Sequence, residues 1–302
     1  MRDDALAPVI AIMLLLAVIV TFYSIWNALV IPSMKQSSEV EHLQNVESAF
    51  EHFSSDIEKT VSMKQDHIVF SEPVQMGGGD VVVDPLQSSG SLYVMDEQDP
   101  IYNLTLTYDN GNQTTTVNGT LVTISYEPLN NYWQDQGYRW QHGYINVTKY
   151  QQARKTPLDY YNMEDIENEF EESGPLQAFA DSFGTARSYE SCSGLEFSAV
   201  TLIASRNHSF VSGNGFGTLK LNSFTKILHY SGVSSIEIGS DLEPFSKETA
   251  RNLNLSLSKI TEICNFIQFV PAQSSQYRQY YAINQSSVAV TLNTVTIDVS
   301  AY

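Results

Sequence analysis

Between Asp4 and Lys35 the chain carries no charged residue. The interval holds the run from Ala5 through Pro8, Val9, Ile10, Ile12, Leu14, Leu15, Leu16, Val18, Ile19 and Phe22 to Ile31. About 20 apolar residues in a helix cross the hydrocarbon core of a bilayer, and this run exceeds that length. Tyr23 and Trp26 sit toward its far end, where amphipathic rings favour the membrane interface. A cleaved secretory signal needs a basic start, a shorter core and a small-residue site after that core. Here the only basic residue before the run is Arg2, and the run ends in Val30, Ile31, Pro32 and Ser33. The segment therefore reads as a retained transmembrane helix over residues 3–31.

After Pro32 the pattern becomes amphipathic. Val40, Leu43, Val46, Phe50, Phe53, Ile57 and Val61 recur every three or four residues, while Glu39, Glu41, Glu47, Glu51, Asp56 and Glu58 occupy the other faces. That is one apolar stripe on a helical stem over 32–64. Pro32 is expected to kink the rod or to mark the membrane boundary. His42 and His52 read as surface residues of this stem. A helix from 8 to 63 would be about 80 Å long at roughly 1.5 Å per residue.

The stretch from Asp3 to Leu16, with an acidic start, Pro8-Val9-Ile10 and a long apolar core, resembles the N-terminus of archaeal type IV pilins. The resemblance covers roughly the first 30 residues. It implies cutting by a prepilin-type peptidase on the cytoplasmic side between Arg2 and Asp3, so that residues 1–2 form a short leader. It further implies a hydrophobic helix that leaves the membrane to pack against the same helix of identical or related subunits, with the help of a pilus assembly machinery. The chain would then be a major or minor subunit of a surface filament serving adhesion. A membrane-anchored surface binding protein that does not polymerise, for instance one binding carbohydrate, is the alternative.

From about residue 65 the period changes to two. Tyr102, Leu104, Leu106 and Tyr108 alternate with polar residues, Asn110-Gly111 signals a hairpin, and Val122, Ile124 and Tyr126 alternate on the return. Further strands are expected at 67–70, 80–83, 91–95, 143–149, 195–204, 216–221, 226–230 and 288–299, and helices at 157–171, 174–183 and 244–252. The fold class is α+β: a long N-terminal helix followed by a mostly antiparallel β sandwich or stacked sheets with short helices. The domain spans 65–302, with a possible division into two lobes near 155–190.

The formal charge of −18 and the lack of Lys/Arg clusters argue against nucleic-acid partners. Cys192 and Cys264 belong to no metal-binding spacing. On an extracellular domain they would form a disulfide closing a loop of about 70 residues, which stabilises by roughly 4 kcal/mol; the other reading is two buried thiols. Seven Asn-x-Ser/Thr sequences, at Asn103, Asn112, Asn118, Asn146, Asn207, Asn254 and Asn284, are candidate N-glycosylation sites on the outer side of a membrane.

Enzyme signatures are missing: the chain has no HExxH, GxSxG or phosphate-loop pattern. No catalytic residue, metal ligand or cofactor is assigned. Gly213–Gly217 reads as a turn, the acidic stretch Asp96–Asp99 as a solvated turn rather than a calcium loop. The aromatic group Tyr132, Trp133, Tyr138, Trp140 and Tyr144 reads first as core or subunit interface, and second as a carbohydrate-binding surface.

Overall fold

The computed structural model describes residues 6–78, 88–109, 111–131, 134–149, 154–158, 164–166, 168, 174–240, 244–285 and 288–302. The N-terminal half of the rod is α1 (Leu6–Ile25), a π-helical turn (Trp26–Val30) leads into α2 (Ile31–Met63), and together they form one continuous helix. Pro32 lies in the first turn of α2. It has no N–H to give to the preceding turn, and the chain accommodates this just upstream by widening, with the Ile31 N–H reaching back to the Trp26 carbonyl. The proline thus leaves the helix unbroken. At the other end Lys64 adopts a left-handed conformation, donates its N–H to Thr60 O and stops the rod.

The stem stripe is buried from Leu43 through Val46, Phe50, Phe53, Ile57 and Val61, with Ala49 added. Val40, expected to open it, is 42% exposed. Two expectations are corrected here. His42 is buried while His52 is exposed, and Glu39 lies in the interior together with Lys35. Lys35, Glu39 and His42 recur at the helical spacing that extends the buried face toward the membrane end, so the interior stripe is wider than its apolar residues suggest.

The domain has two sheets. The larger has ten described strands: β1 (Val69–Gln75), β2 (Ser89–Asp96), β5 (Val122–Leu129), β6 (Gln136–Gln141), β7 (Tyr144–Lys149), β8 (Arg154–Pro157), β9 (Gly184–Ser188), β10 (Gly194–Gly213), β11 (Phe216–Tyr230) and β15 (Ala289–Ala301). Their order is β1-β11-β15-β10-β2-β5-β6-β7-β8, with β9 also on β10, and this sheet packs on the stem through β1, β6, β7 and β11. The smaller sheet runs β13-β14-β12-β3-β4, from β3 (Tyr102–Tyr108), β4 (Gln113–Gly119), β12 (Ser235–Gly239), β13 (Ile267–Phe269) and β14 (Arg278–Ile283). Of two further helices, α4 (Pro244–Ile263) packs on this sheet and on β9, while α3 (Pro175–Ser182) packs on α4, β9 and α2.

Pairing is antiparallel except for β10 with β15, which run parallel from Gly194↔Ala289 to Ala204↔Val299. β10 passes into β11 through a short connection at Asn214 and Gly215, where the turn was expected at Gly213–Gly217, and β15 inserts between the two strands. β11 is one strand where two were expected at 216–221 and 226–230. The expected strand at 67–70 becomes Val69–Gln75, and the helix expected at 244–252 extends to Ile263. The strand expected at 80–83 lies outside the described residues, as does most of the helix expected at 157–171, of which 164–166 and 168 are helical, while Pro157, expected to open that helix, instead ends strand β8.

Apolar residues from α2, both sheets, α3 and α4 form one buried cluster. Its aromatic centre joins Trp140 of β6 to Phe179 of α3, and Phe179 to Phe183 and to Phe245 of α4. This packing fixes the β domain on the second half of the rod and leaves the first half bare.

Candidate functional site: the bare helix and its anchorage

In α1, Val9, Ile10, Ile12, Leu14, Leu15, Leu16, Val18, Ile19 and Phe22 are all exposed, Phe22 at 66%, and Pro8 is exposed with them. Covering a side chain of this size is worth about 1.5–3 kcal/mol. Ten such residues in one element therefore demand an apolar surrounding, either lipid or other protein. The helix satisfies its own backbone, the requirement for lying in hydrocarbon. Thr21 Oγ1 donates to Ala17 O at 2.9 Å and Asn27 Nδ2 to Tyr23 O at 3.1 Å, so these polar groups are satisfied internally as well. Arg2 and Asp3, where processing was expected, lie outside the described residues.

Polar bonds secure the stem half of the rod to the domain. Trp140 Nε1 donates to Ser54 Oγ at 2.9 Å, and Tyr138 Oη donates to Glu47 at 2.8 Å. His42 Nε2 meets Tyr126 Oη at 2.9 Å, and that hydroxyl donates onward to Met76 O at 3.2 Å. His42 Nδ1 is buried without a hydrogen-bond partner, and desolvation pushes the imidazole pKa down to about 4. Gly78 is packed so closely that a Cβ there would lie 2.5 Å from His42 Cβ. Burial raises the Tyr126 and Tyr138 hydroxyls far above the ordinary phenol range, helped by Glu39 and by Glu47 respectively. The sequence carried a sign of this seam: Tyr138 and Trp140 alternate on β6 and so share one face.

Tyr138, Trp140 and Tyr144 are buried, so their faces pack in the core and offer no surface to a sugar. Tyr132 and Trp133 lie outside the described residues. The stretch Asp96–Asp99 borders a cavity of about 390 Å³ that is also lined by Arg139, His142 and Phe245. There Glu97 accepts from His142 Nε2 at 2.9 Å and from Thr123 Oγ1 at 3.1 Å. Burial lifts its carboxyl pKa, but the bond and charge of His142 together with the hydrogen bonds of Thr123 and Gln141 outweigh that, and the net direction is down. The carboxylate is thus held by hydrogen bonds from His142 and Thr123. Among the described residues no group of three His, Cys, Asp or Glu side chains is placed to hold a metal ion.

Cys192 and Cys264 form a disulfide, with Cα atoms 5.6 Å apart. It ties a short 3₁₀ turn (Glu190–Cys192) before β10 to the residue following α4. The candidate glycosylation asparagines divide by exposure. Asn112, Asn118, Asn207 and Asn284 are exposed, while Asn103 and Asn254 are half-buried. Asn146 is corrected: at 3% exposure its amide is enclosed in β7 and has no room for a sugar in the folded chain. Comparison with protein-family models, curated proteins and solved structures finds no match to this chain.

Proposed function

We propose that this chain is a structural subunit of an archaeal type IV pilus-like surface filament, major or minor, that assembles through α1 and serves adhesion. One observation carries the reading: a single unbroken helix, Pro8–Met63, is bare and apolar over its first half and buried in a β domain over its second. Such a rod has two uses for the same side chains. In the membrane they lie in lipid, with every backbone group bonded within the helix. In a filament they pack against copies of themselves, while the domain anchored at the far end faces outward. The resemblance of Asp3–Leu16 to archaeal type IV pilins favours the second use, and it supplies the expected processing point between Arg2 and Asp3 and the expected membrane topology, N-terminus cytoplasmic before assembly.

A plain membrane anchor shares the bare helix, so the mature N-terminus and the physical state of the protein separate the two. Filaments sheared from the cell surface are to be digested and their peptides sequenced by mass spectrometry. This chain in the filament fraction, beginning at Asp3 or elsewhere before Pro8, is the expected result. An intact Met1 on protein confined to membranes, with no filaments, would refute the proposal.

A further inference from the structure

Five strands have a free edge among the described residues: β1, β8 and the 5-residue β9 in the larger sheet, β13 and β4 in the smaller. A free edge presents unpaired backbone N–H and C=O groups that another chain can pair with, and proteins blunt such edges with charge, proline or shortness. Four of the five are blunted, β9 by its shortness and Arg187. β1 contains Glu72 and Pro73, and β8 contains Arg154, Lys155 and Pro157. β13 has 3 residues and is soon followed by Pro271. β4 has none of these devices. Its sequence is Gln113-Thr-Thr-Thr-Val-Asn-Gly119, 7 residues long, uncharged and without proline, with Gln113, Thr114, Thr116 and Asn118 exposed. A threonine-rich edge of this length in unbroken register with its neighbour is a template for strand addition.

What β4 does have is an exposed sequon asparagine at each end, Asn112 immediately before it and Asn118 within it. We propose that N-linked oligosaccharides on Asn112 and Asn118 cover the open edge of β4 and keep it from pairing with a second copy. In this reaction the amide Nδ2 attacks the anomeric carbon of a lipid-phosphate-linked oligosaccharide. A C–N bond forms, the C–O bond to the lipid phosphate breaks, the phosphate leaves with the electron pair, and one amide proton is lost. Asn103 stands directly opposite Asn118 on β3, with Cβ atoms about 5 Å apart. It is half-buried on an inner strand, so the edge asparagine is the one with room for the sugar. The proposal requires only the exterior placement of the domain and is independent of whether α1 polymerises.

The test uses the full chain extracted in detergent from the membranes of its native host. Glycopeptide mass spectrometry is expected to find sugar on Asn112 and Asn118 in most molecules and none on Asn146. In sedimentation, N112Q/N118Q is expected to show at least a twofold higher mass than the unaltered chain. Adding Thr116→Lys, which places a charge on the exposed face of β4, is expected to restore the original mass. Sugar on Asn207 or Asn284 with Asn112 and Asn118 bare would overturn the edge assignment while leaving the exterior placement standing; no sugar anywhere would remove both. Unchanged sedimentation of N112Q/N118Q would overturn the covering role even with the sugars present.

Discussion

Acid should loosen the stem from the β domain through His42. The imidazole is 1% exposed, its Nε2 is engaged with Tyr126 Oη, and its Nδ1 has no partner to accept a proton's charge. Among the described residues, Glu39 and Lys35 share its face of α2, and Tyr126 faces it from β5. Burial lowers its pKa from 6.5 to about 4. The unfolded chain therefore takes up the proton first as pH falls, and the stability of the neutral, buried form is lost between those two values; above pH 6.5 it is fully present. The full loss is about 3 kcal/mol, at roughly 1.4 kcal/mol per unit. Between about pH 7.5 and about pH 5 it amounts to about 2 kcal/mol. The assay is denaturant unfolding of the detergent-solubilised chain at both pH values, compared with His42→Gln, whose amide can still donate to Tyr126. Carboxylates contribute equally to both proteins, so the difference between the two pH responses isolates the histidine. Identical pH responses in the two proteins would refute the reasoning.

The disulfide closes a sequence separation of 72, so C192S/C264S should lose about 4 kcal/mol in the chain-entropy model. At about 2 °C per kcal/mol for a chain this large, that lowers the melting temperature by about 8 °C in calorimetry. Trp140→Ala should cost about 3–5 kcal/mol, because it empties a fully buried site and leaves Ser54 without its bond. Its measurable effect is a lower unfolding midpoint, not a change in carbohydrate binding.

The sequence alone determined the rod. A charge-free stretch from Ala5 to Met34 and a three-four apolar spacing after it are local signals, and a helix is a local structure whose hydrogen bonds close within four residues. The same holds for the alternating strands β3, β5 and β10 and for the turn near Gly213–Gly217. The cysteine pairing was legible because only two cysteines exist, although the thiol reading had to be decided by the fold. Other features depended on partners distant in sequence. Pro32 could be read as a kink or a boundary, and only the helix itself shows a widened turn absorbing it. His42 and Glu39 looked like surface residues because polarity is a property of a residue, whereas burial is a property of what packs on it; Tyr126 of β5 and Gly78 cover that face from far along the chain. The short strands β12 and β14 carry too few alternations to be recognised by period; β12 forms on the edge that β3 offers, and β14 on the edge that β12 offers. That β4 ends a sheet, and that Asn118 rather than Asn146 faces solvent, follows from strand order. Strand order is set by long-range pairing, which identical Asn-x-Thr sequences do not encode.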